Sequence, residues 1–376
     1  MAVTKMNAKQ LHDKIDSGQP VLLLDVRNQD DYNDWKIEGK NIQSVNIPYF
    51  EFLDENETTY KDLPKDAEII VICAKGGSAL MVAELLDEKG YKASYLEKGM
   101  LEWSQFYHPV TVADDGDMKL FQINRLAKGC LSYMVVSEGE AMIVDPNRHV
   151  EEYTSLAEKE NANIVHIMDT HLHADHISGG QALANQTGAR YYISSSEMQG
   201  ADMSFEPLEE HTEIRFGAVR VKILTIPTPG HTPGSVSFLI NDKYLLSGDT
   251  LFVGGLGRPD LGGKAKEWAQ SLYETVFKKI ALLPEDIIVL PAHYTDIQEI
   301  NEKGFVGATL GEIRRSNEIM RTENREQFTE KVAGTVGATP PNYEEIVDIN
   351  RGVIKVTSDK ATELEIGPNR CAVHHG

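Results

Sequence analysis

With 376 residues, of which 41% are apolar and 25% charged, the chain has a globular composition and is too long for one ordinary hydrophobic core, so two domains are expected. A formal charge of −21 repels nucleic acid and anionic membranes, and no window approaches the roughly 18 consecutive apolar residues of a membrane helix. The three cysteines, Cys73, Cys130 and Cys371, lie far apart, which excludes a disulfide scaffold and fits a reducing compartment.

The opening ten residues are polar and lack the apolar centre of a secretory signal, so a cytoplasmic location is expected. Apolar runs at Val21 to Val26 and Ile69 to Cys73 read as strands, and Ala79 to Lys89 has helical periodicity. This alternation predicts a small α/β domain with a parallel sheet; Phe50 to Pro64 between them reads as loop. Cys73 ends its strand and opens Cys73-Ala-Lys-Gly-Gly-Ser-Ala79, directly before the helix. The N–H groups of a loop containing Gly76 and Gly77, together with the positive helix end, stabilise an anion at such a sulfur, and Lys75 adds charge. The flanking segments Leu24-Asp-Val-Arg27, Tyr32, Gly39 and Gly99-Met-Leu-Glu-Trp103 resemble a rhodanese over residues 3 to 108. That resemblance implies a sulfane sulfur carried as a persulfide on Cys73. Ser78 stands where many relatives have Arg, which leaves Lys75 and the loop amides to hold an anion such as thiosulfate.

Ala113-Asp-Asp-Gly-Asp117 is the clearest break in composition, and the boundary is expected near residues 108 to 117, giving domains of 1–110 and 117–376. Beyond it, Ala141 to Asp145, Ile164 to Thr170, Val219 to Pro227, Tyr244 to Asp249 and Ile287 to His293 read as buried strands. Val150 to Glu160, Ser178 to Thr187 and Trp268 to Ile280 read as helices; Glu312 to Glu330 is charged and helix-forming, followed by an extended stretch around Pro340-Pro341.

The strongest chemical signal is Thr170-His171-Leu172-His173-Ala174-Asp175-His176, which begins where a strand ends. In an extended turn His171 and His173 project to one side, with Asp175 and His176 expected at the start of the next helix, so a compact cation is enclosed. His231 lies in Thr228-Pro-Gly-His-Thr-Pro-Gly234, where two Pro-Gly pairs restrict a loop after a strand, and Asp249 and His293 end other apolar runs, so ligands from separate strands converge on one sheet edge. A lone histidine is more often a surface or hydrogen-bonded residue, and His12, His108, His149, His166 and His211 are read that way. Cys130, at the start of the second domain, either faces its pocket or is a buried structural thiol, the more usual role, and the tail Cys371-Ala-Val-His-His375 is assigned no role.

The order H-x-H-x-D-H, T-P-G-H-T, S-G-D-T and P-A-H resembles the metallo-β-lactamase superfamily over roughly Met118 to Met320, and implies an αββα sandwich following the rhodanese-like α/β domain. Two branches of that family compete. Glyoxalase II-like hydrolases hold two zinc ions with all seven residues and cleave thioesters. Persulfide dioxygenases bind one Fe(II) per chain, through residues matching His171, His231 and Asp249; His173, Asp175, His176 and His293 then orient ligands or bound water instead of holding a second metal. Gly257-Arg-Pro-Asp-Leu261 resembles the dioxygenase G-R-T-D-F stretch, departing at Pro259 and Leu261, and Arg258 is a candidate anchor for a substrate carboxylate. Tyr273 is either a pocket residue, by resemblance, or core. A rhodanese fused to a persulfide oxidase handles successive sulfur species, so the expected partners are a small thiol persulfide, O₂, sulfite and thiosulfate, with zinc as the alternative metal. Oligomerisation through the metal-binding domain is expected.

Overall fold

The computed structural model describes residues 3–53, 57–223, 231–259, 265–294, 296–322, 324–334 and 342–368. It contains two compact units, one of Met1–Tyr107 with Arg125–Lys128 and Ile366–Pro368, the other of His108–Asn124 and Gly129–Glu365.

In the first unit β1 (Thr4–Met6), β2 (Val21–Asp25), β3 (Ile42–Asn46), β4 (Glu68–Ile72) and β5 (Lys92–Leu96) form a parallel sheet in the order β1-β5-β4-β2-β3. β2 is apolar without alternation because both of its faces are covered. Leu22 and Leu24 enter one apolar cluster, whereas Val21 and Leu23 enter another. The helix Gly77–Glu88 closes the first cluster with Ala79, Val82, Ala83 and Leu86.

The second unit is a pair of stacked sheets. The strands β6 (His108–Asp114), β7 (Lys119–Arg125), β8 (Cys130–Ser137), β9 (Glu140–Val144), β10 (Asn163–Met168), β11 (Arg190–Ile193) and β12 (Glu206–Pro207) form one, ordered β12 through β6. The other contains β13 (Glu213–Phe216), β14 (Val219–Ile223), β15 (Phe238–Ile240), β16 (Tyr244–Gly248), β17 (Ile288–Pro291) and β18 (Ala308–Thr309), in sequence order. Leu131, Tyr133 and Val135 of β8 share a core with Val219, Val221 and Ile223 of β14 and with Tyr244 and Leu246 of β16. Leu245, on the opposite face of β16, packs instead with Leu272 and Val276 of the helix Ala265–Lys278. Helices Val150–Lys159 and Gly180–Thr187 pack against β10, which completes an αββα sandwich.

The units part between Tyr107 and His108, and Ala113 to Asp117, in the expected boundary region, is the end of β6 and a hairpin turn into β7, where Met118 N–H donates to Asp115 Oδ1 (3.0 Å). Other expectations need correcting. Asp175 and His176 lie in a loop, because the next helix starts only at Gly180. The charged stretch Glu312 to Glu330 is two helices, Leu310–Ser316 and Arg325–Gly334; the Asn317 side chain caps the break by accepting from Ile319 N–H (3.0 Å). Thr228 to Gly230, Asp260, Leu261, Pro340, Pro341 and the tail from Cys371 lie outside the described residues. Among the described residues no helix is long and apolar enough to cross a membrane.

Candidate metal centre and cysteine loop

The strand ends of the second unit deliver the metal-ligand types. β10 runs out at Met168 into the loop that carries His171, His173, Asp175 and His176; Asp249 follows β16, and His293 lies just past β17. Gly248 has φ of +54°, and a Cβ there would meet Thr170 Oγ1 at 2.7 Å, so glycine lets the two strand ends approach. Each is also tied to a further segment of the second sheet, Gly248 O accepting from Ala292 N–H (3.0 Å) and Thr170 O from Val236 N–H (2.8 Å).

Three buried groups of ligand types result: His171, His231 and Asp249; Cys130, Asp175, His176 and His293; and Asp145, Asp169 and His173. In the first, Thr170 Oγ1 donates to the Asp145 carboxylate (3.0 Å to Oδ2), so it receives the Nδ1 proton of His171 (2.9 Å). His231 Nδ1 donates to the carbonyl oxygen of Arg258 (2.9 Å). These bonds fix both ring orientations and use Nδ1 of each, which leaves the Nε2 atoms facing Asp249, 3.7 and 3.4 Å from its Oδ2. Asp249 Oδ2 is buried and, among the described residues, has no hydrogen-bond partner. Two bare imidazole nitrogens and an unsatisfied carboxylate oxygen directed at one point fit a divalent transition metal with open positions.

The second group is a chain of charge pairs. His293 bridges Asp249 Oδ1 (Nδ1, 2.6 Å) and Asp175 Oδ2 (Nε2, 3.1 Å), while Asp175 Oδ1 lies 3.0 Å from His176 Nδ1. Cys130 Sγ donates to Asp175 Oδ2 (3.2 Å); an isolated bridge between Cys130 and His293 brings it there. His173 lies between the rings of His171 and His176 (centroids 4.3 Å from each), its Nε2 3.2 Å from Asp145 Oδ1 and 3.9 Å from Asp169 Oδ1, and its Nδ1 is buried without a hydrogen-bond partner among the described residues. Asp145, Asp169 and Thr170 are functional candidates that the sequence does not single out, whereas Cys130, one of whose two readings faces the pocket, lies in the second group. The acids end β9 and β10 as Asp249 ends β16, and that shared position was the available signal. Asp145 also has φ of +52°, in the left-handed region that aspartate adopts more readily than most non-glycine residues.

Burial separates the groups electrostatically. It holds His171 well below the usual imidazole value, so that ring is neutral and ready to bind metal. Burial opposes charge on His176 and His293 too, but Asp175 lifts His176 to about 10, and Asp249 and Asp175 raise His293 well above its ordinary value. Burial and Asp175 push the Cys130 thiol up; His293 and His176 outweigh them and bring it below its ordinary value.

Arg258 is buried and reaches the site through its carbonyl group, a contribution that a substrate-anchor reading of its side chain did not include. Tyr273 packs against Phe277 and Phe328 (ring centroids 4.8 and 5.4 Å apart) in the apolar cluster beside β16.

In the first unit Cys73 follows β4, buried, and its Sγ accepts from Gly76 N–H (3.1 Å). Gly76 has φ of +95°, and a Cβ there would lie 1.8 Å from Glu97 O. Gly99 presses on the other side: its Cβ would lie 2.0 Å from Cys73 O, and Met100 N–H donates to that oxygen (2.9 Å). Lys75 and Gly77 are exposed and Ser78 is half-buried. Asp25 and Arg27 form a buried ion pair (2.6 Å), and Arg27 Nη2 also donates to Trp35 O (2.5 Å), so this part of the motif is structural.

An αββα sandwich with imidazoles and carboxylates gathered at its strand ends is the metallo-β-lactamase class of fold. The superfamily's sequence model matches residues 126–293, and the rhodanese-like domain model matches residues 7–106. Human mitochondrial persulfide dioxygenase ETHE1 is 33% identical over 205 residues, covering 54% of this chain and 74% of that protein; the match to the bovine protein of the same name covers 59% of its length. A hydroxyacylglutathione hydrolase of Prochlorococcus marinus (strain NATL2A) is 30% identical over 243 residues, 57% of this chain and 93% of that one. Among solved structures, a metallo-β-lactamase from Staphylococcus aureus (28% identity, TM-score 0.57, 65% of this chain and 75% of that one) and ETHE1 from Myxococcus xanthus (26%, 0.52, 66% and 99%) share the fold. The chain belongs to the metallo-β-lactamase superfamily and carries a rhodanese-like domain ahead of that fold.

Proposed function

We propose that the second unit is a persulfide dioxygenase holding one Fe(II) through His171, His231 and Asp249, and that Cys73 of the first unit carries sulfane sulfur to or from its reaction. The overall conversion is RS–SH + O₂ + H₂O to RSH and sulfite with release of two protons, and bound iron supplies the redox chemistry with O₂. The observation that carries this reading is the convergence of His171 Nε2 and His231 Nε2 on Asp249 Oδ2, with each Nδ1 proton engaged elsewhere. Two imidazoles and one carboxylate leave positions open for a sulfur ligand and a diatomic gas. The protein's contribution is to fix the ring tautomers through Thr170 and the Arg258 carbonyl, and to keep bulk water from the buried donors. The relatives named persulfide dioxygenase support the reading, and the rhodanese-like unit gives it a metabolic logic. A Cys73 persulfide attacked by sulfite at its outer sulfur yields thiosulfate and the Cys73 thiolate, a balanced transfer of one sulfur atom.

The rival is a dinuclear zinc thioester hydrolase, favoured by the second group around Asp175, His176 and His293 and by similarity to hydroxyacylglutathione hydrolase. Metal analysis with an oxygen electrode decides between them. About one iron per chain and oxygen uptake dependent on a small-thiol persulfide are expected; two zinc ions with thioester cleavage and no oxygen uptake would overturn the proposal.

A further inference from the structure

The side chain of Asn350, the last residue of the helix Tyr343–Asn350, makes three hydrogen bonds, all to the main chain of the ligand-bearing loop after β10. Its Nδ2 donates to the carbonyl oxygens of His173 (2.8 Å) and His176 (2.9 Å), and its Oδ1 accepts from Ser178 N–H (2.9 Å). Two donors and an acceptor on one planar group are what a carboxamide offers, and Asn350 is buried at 5% exposure. The next residue reaches the other ligand-bearing loop. Arg351 Nε donates to Glu197 O (3.0 Å), while Glu197 Oε1 accepts from Gly234 N–H (2.6 Å), three residues beyond His231. A further anchor comes from the helix Ser358–Glu365. Glu365 Oε1 accepts from Ile177 N–H (2.7 Å), its Oε2 is held by Arg148 Nε (2.7 Å), and Ile177 packs with Ile346, Ala361 and Leu364.

The loop from Asp169 to Gly179 has no regular ladder to define its torsions, so its buried carbonyl and amide groups depend on partners from elsewhere. We propose that Asn350 and Arg351 are positioning residues of the metal centre, a clasp that fixes both ligand-bearing loops through their main chains and so keeps the imidazoles aimed before any metal arrives. Metal retention draws on such preorganised ligands. The inference rests on the metal-centre reading and is indifferent to whether the reaction is oxidative or hydrolytic.

The test uses the full chain loaded anaerobically with Fe(II) and, separately, with Co(II), then challenged with EDTA while iron content and the cobalt d–d absorption are followed. Asn350→Asp keeps the shape and the acceptor for Ser178 but turns an anionic oxygen toward two carbonyl oxygens; Asn350→Ala removes all three bonds. Val332→Ala, in a different apolar cluster of the same unit, serves as the packing control. Metal release about 10–100-fold faster in both Asn350 variants is expected, with an altered cobalt band, whereas Val332→Ala retains wild-type release despite a lower Tm. Release from Asn350→Asp at the wild-type rate, or equally fast release from Val332→Ala at a matched Tm loss, would overturn the clasp. If Asn350→Ala does not fold, the isosteric Asp variant decides alone. A wild-type chain that retained neither ion would overturn the metal-centre reading itself, a result distinct from failure of the clasp.

Discussion

His293 Nδ1 lies 2.6 Å from Asp249 Oδ1, on the side of the carboxylate away from His171 and His231. One oxygen of Asp249 is thus held by an imidazole while the other has no hydrogen-bond partner among the described residues, so under the proposed ligand set the carboxylate is aimed by a residue outside that set. His293→Ala frees the carboxylate to rotate. Affinity for Fe(II), measured by chelator competition, is expected to fall about 10–100-fold. Unchanged affinity would mean that Asp249 is held by its own backbone alone.

Thr170 links the Asp145 carboxylate to His171 Nδ1. Thr170→Val preserves the shape and removes the hydroxyl, leaving a buried N–H without its acceptor at a cost of about 1–3 kcal/mol. The variant is expected to bind metal more weakly than wild type and to lose oxygen uptake, while sulfur transfer by the first unit persists. Wild-type oxygen uptake in this variant would remove Thr170 from the account.

Proton linkage separates the two ligand groups. The folded-state pKa of His176 is raised from 6.5 to about 10, so its contribution to stability is fully present below pH 6.5 and is lost as pH rises through about 10. Asp175 is held well below 3.8, so its contribution is present above that pH and is lost as pH falls through its lowered value. In the metal-free chain Tm should decline at both ends of this window, and Asp175→Asn should move the alkaline decline to lower pH. An alkaline limb identical in Asp175→Asn and wild type would show that Asp175 does not hold the His176 proton.

The same protons govern metal stoichiometry. His171 is neutral near pH 7, whereas a metal entering the group of Cys130, Asp175, His176 and His293 must displace protons from two imidazoles. Equilibrium dialysis against zinc is expected to give close to one ion per chain at neutral pH and more as pH approaches 10. Two tightly held ions at neutral pH would instead favour the hydrolase.

For the cysteine loop, Cys73→Ser should abolish sulfur transfer from thiosulfate to a thiol and leave oxygen uptake intact. Gly76→Ala should also abolish it, since a left-handed residue with a Cβ costs about 1–2 kcal/mol before the collision with Glu97 O is counted. Sulfur transfer surviving in Cys73→Ser would assign the carrier elsewhere.

The sequence alone determined the two domain types and picked out the candidate metal-ligand residues, because both rest on local signals. The H-x-H-x-D-H run is contiguous, Asp249 and His293 directly follow apolar strands, His231 lies in a Pro-Gly loop, and Cys73 lies in a short glycine loop between a strand and a helix. What only the tertiary structure decided is how those candidates divide. His173 is drawn off by Asp145 and Asp169, Cys130 is carried beside Asp175 by its bridge to His293, and Asp249 is shared between two groups. The clasp is equally invisible in one dimension. Asn350 and Glu365 meet the loop across 172 and 188 residues, through hydrogen bonds to main-chain atoms that every residue possesses. Periodicity and spacing report which faces are buried; they carry no signal for which distant side chain satisfies a particular buried amide.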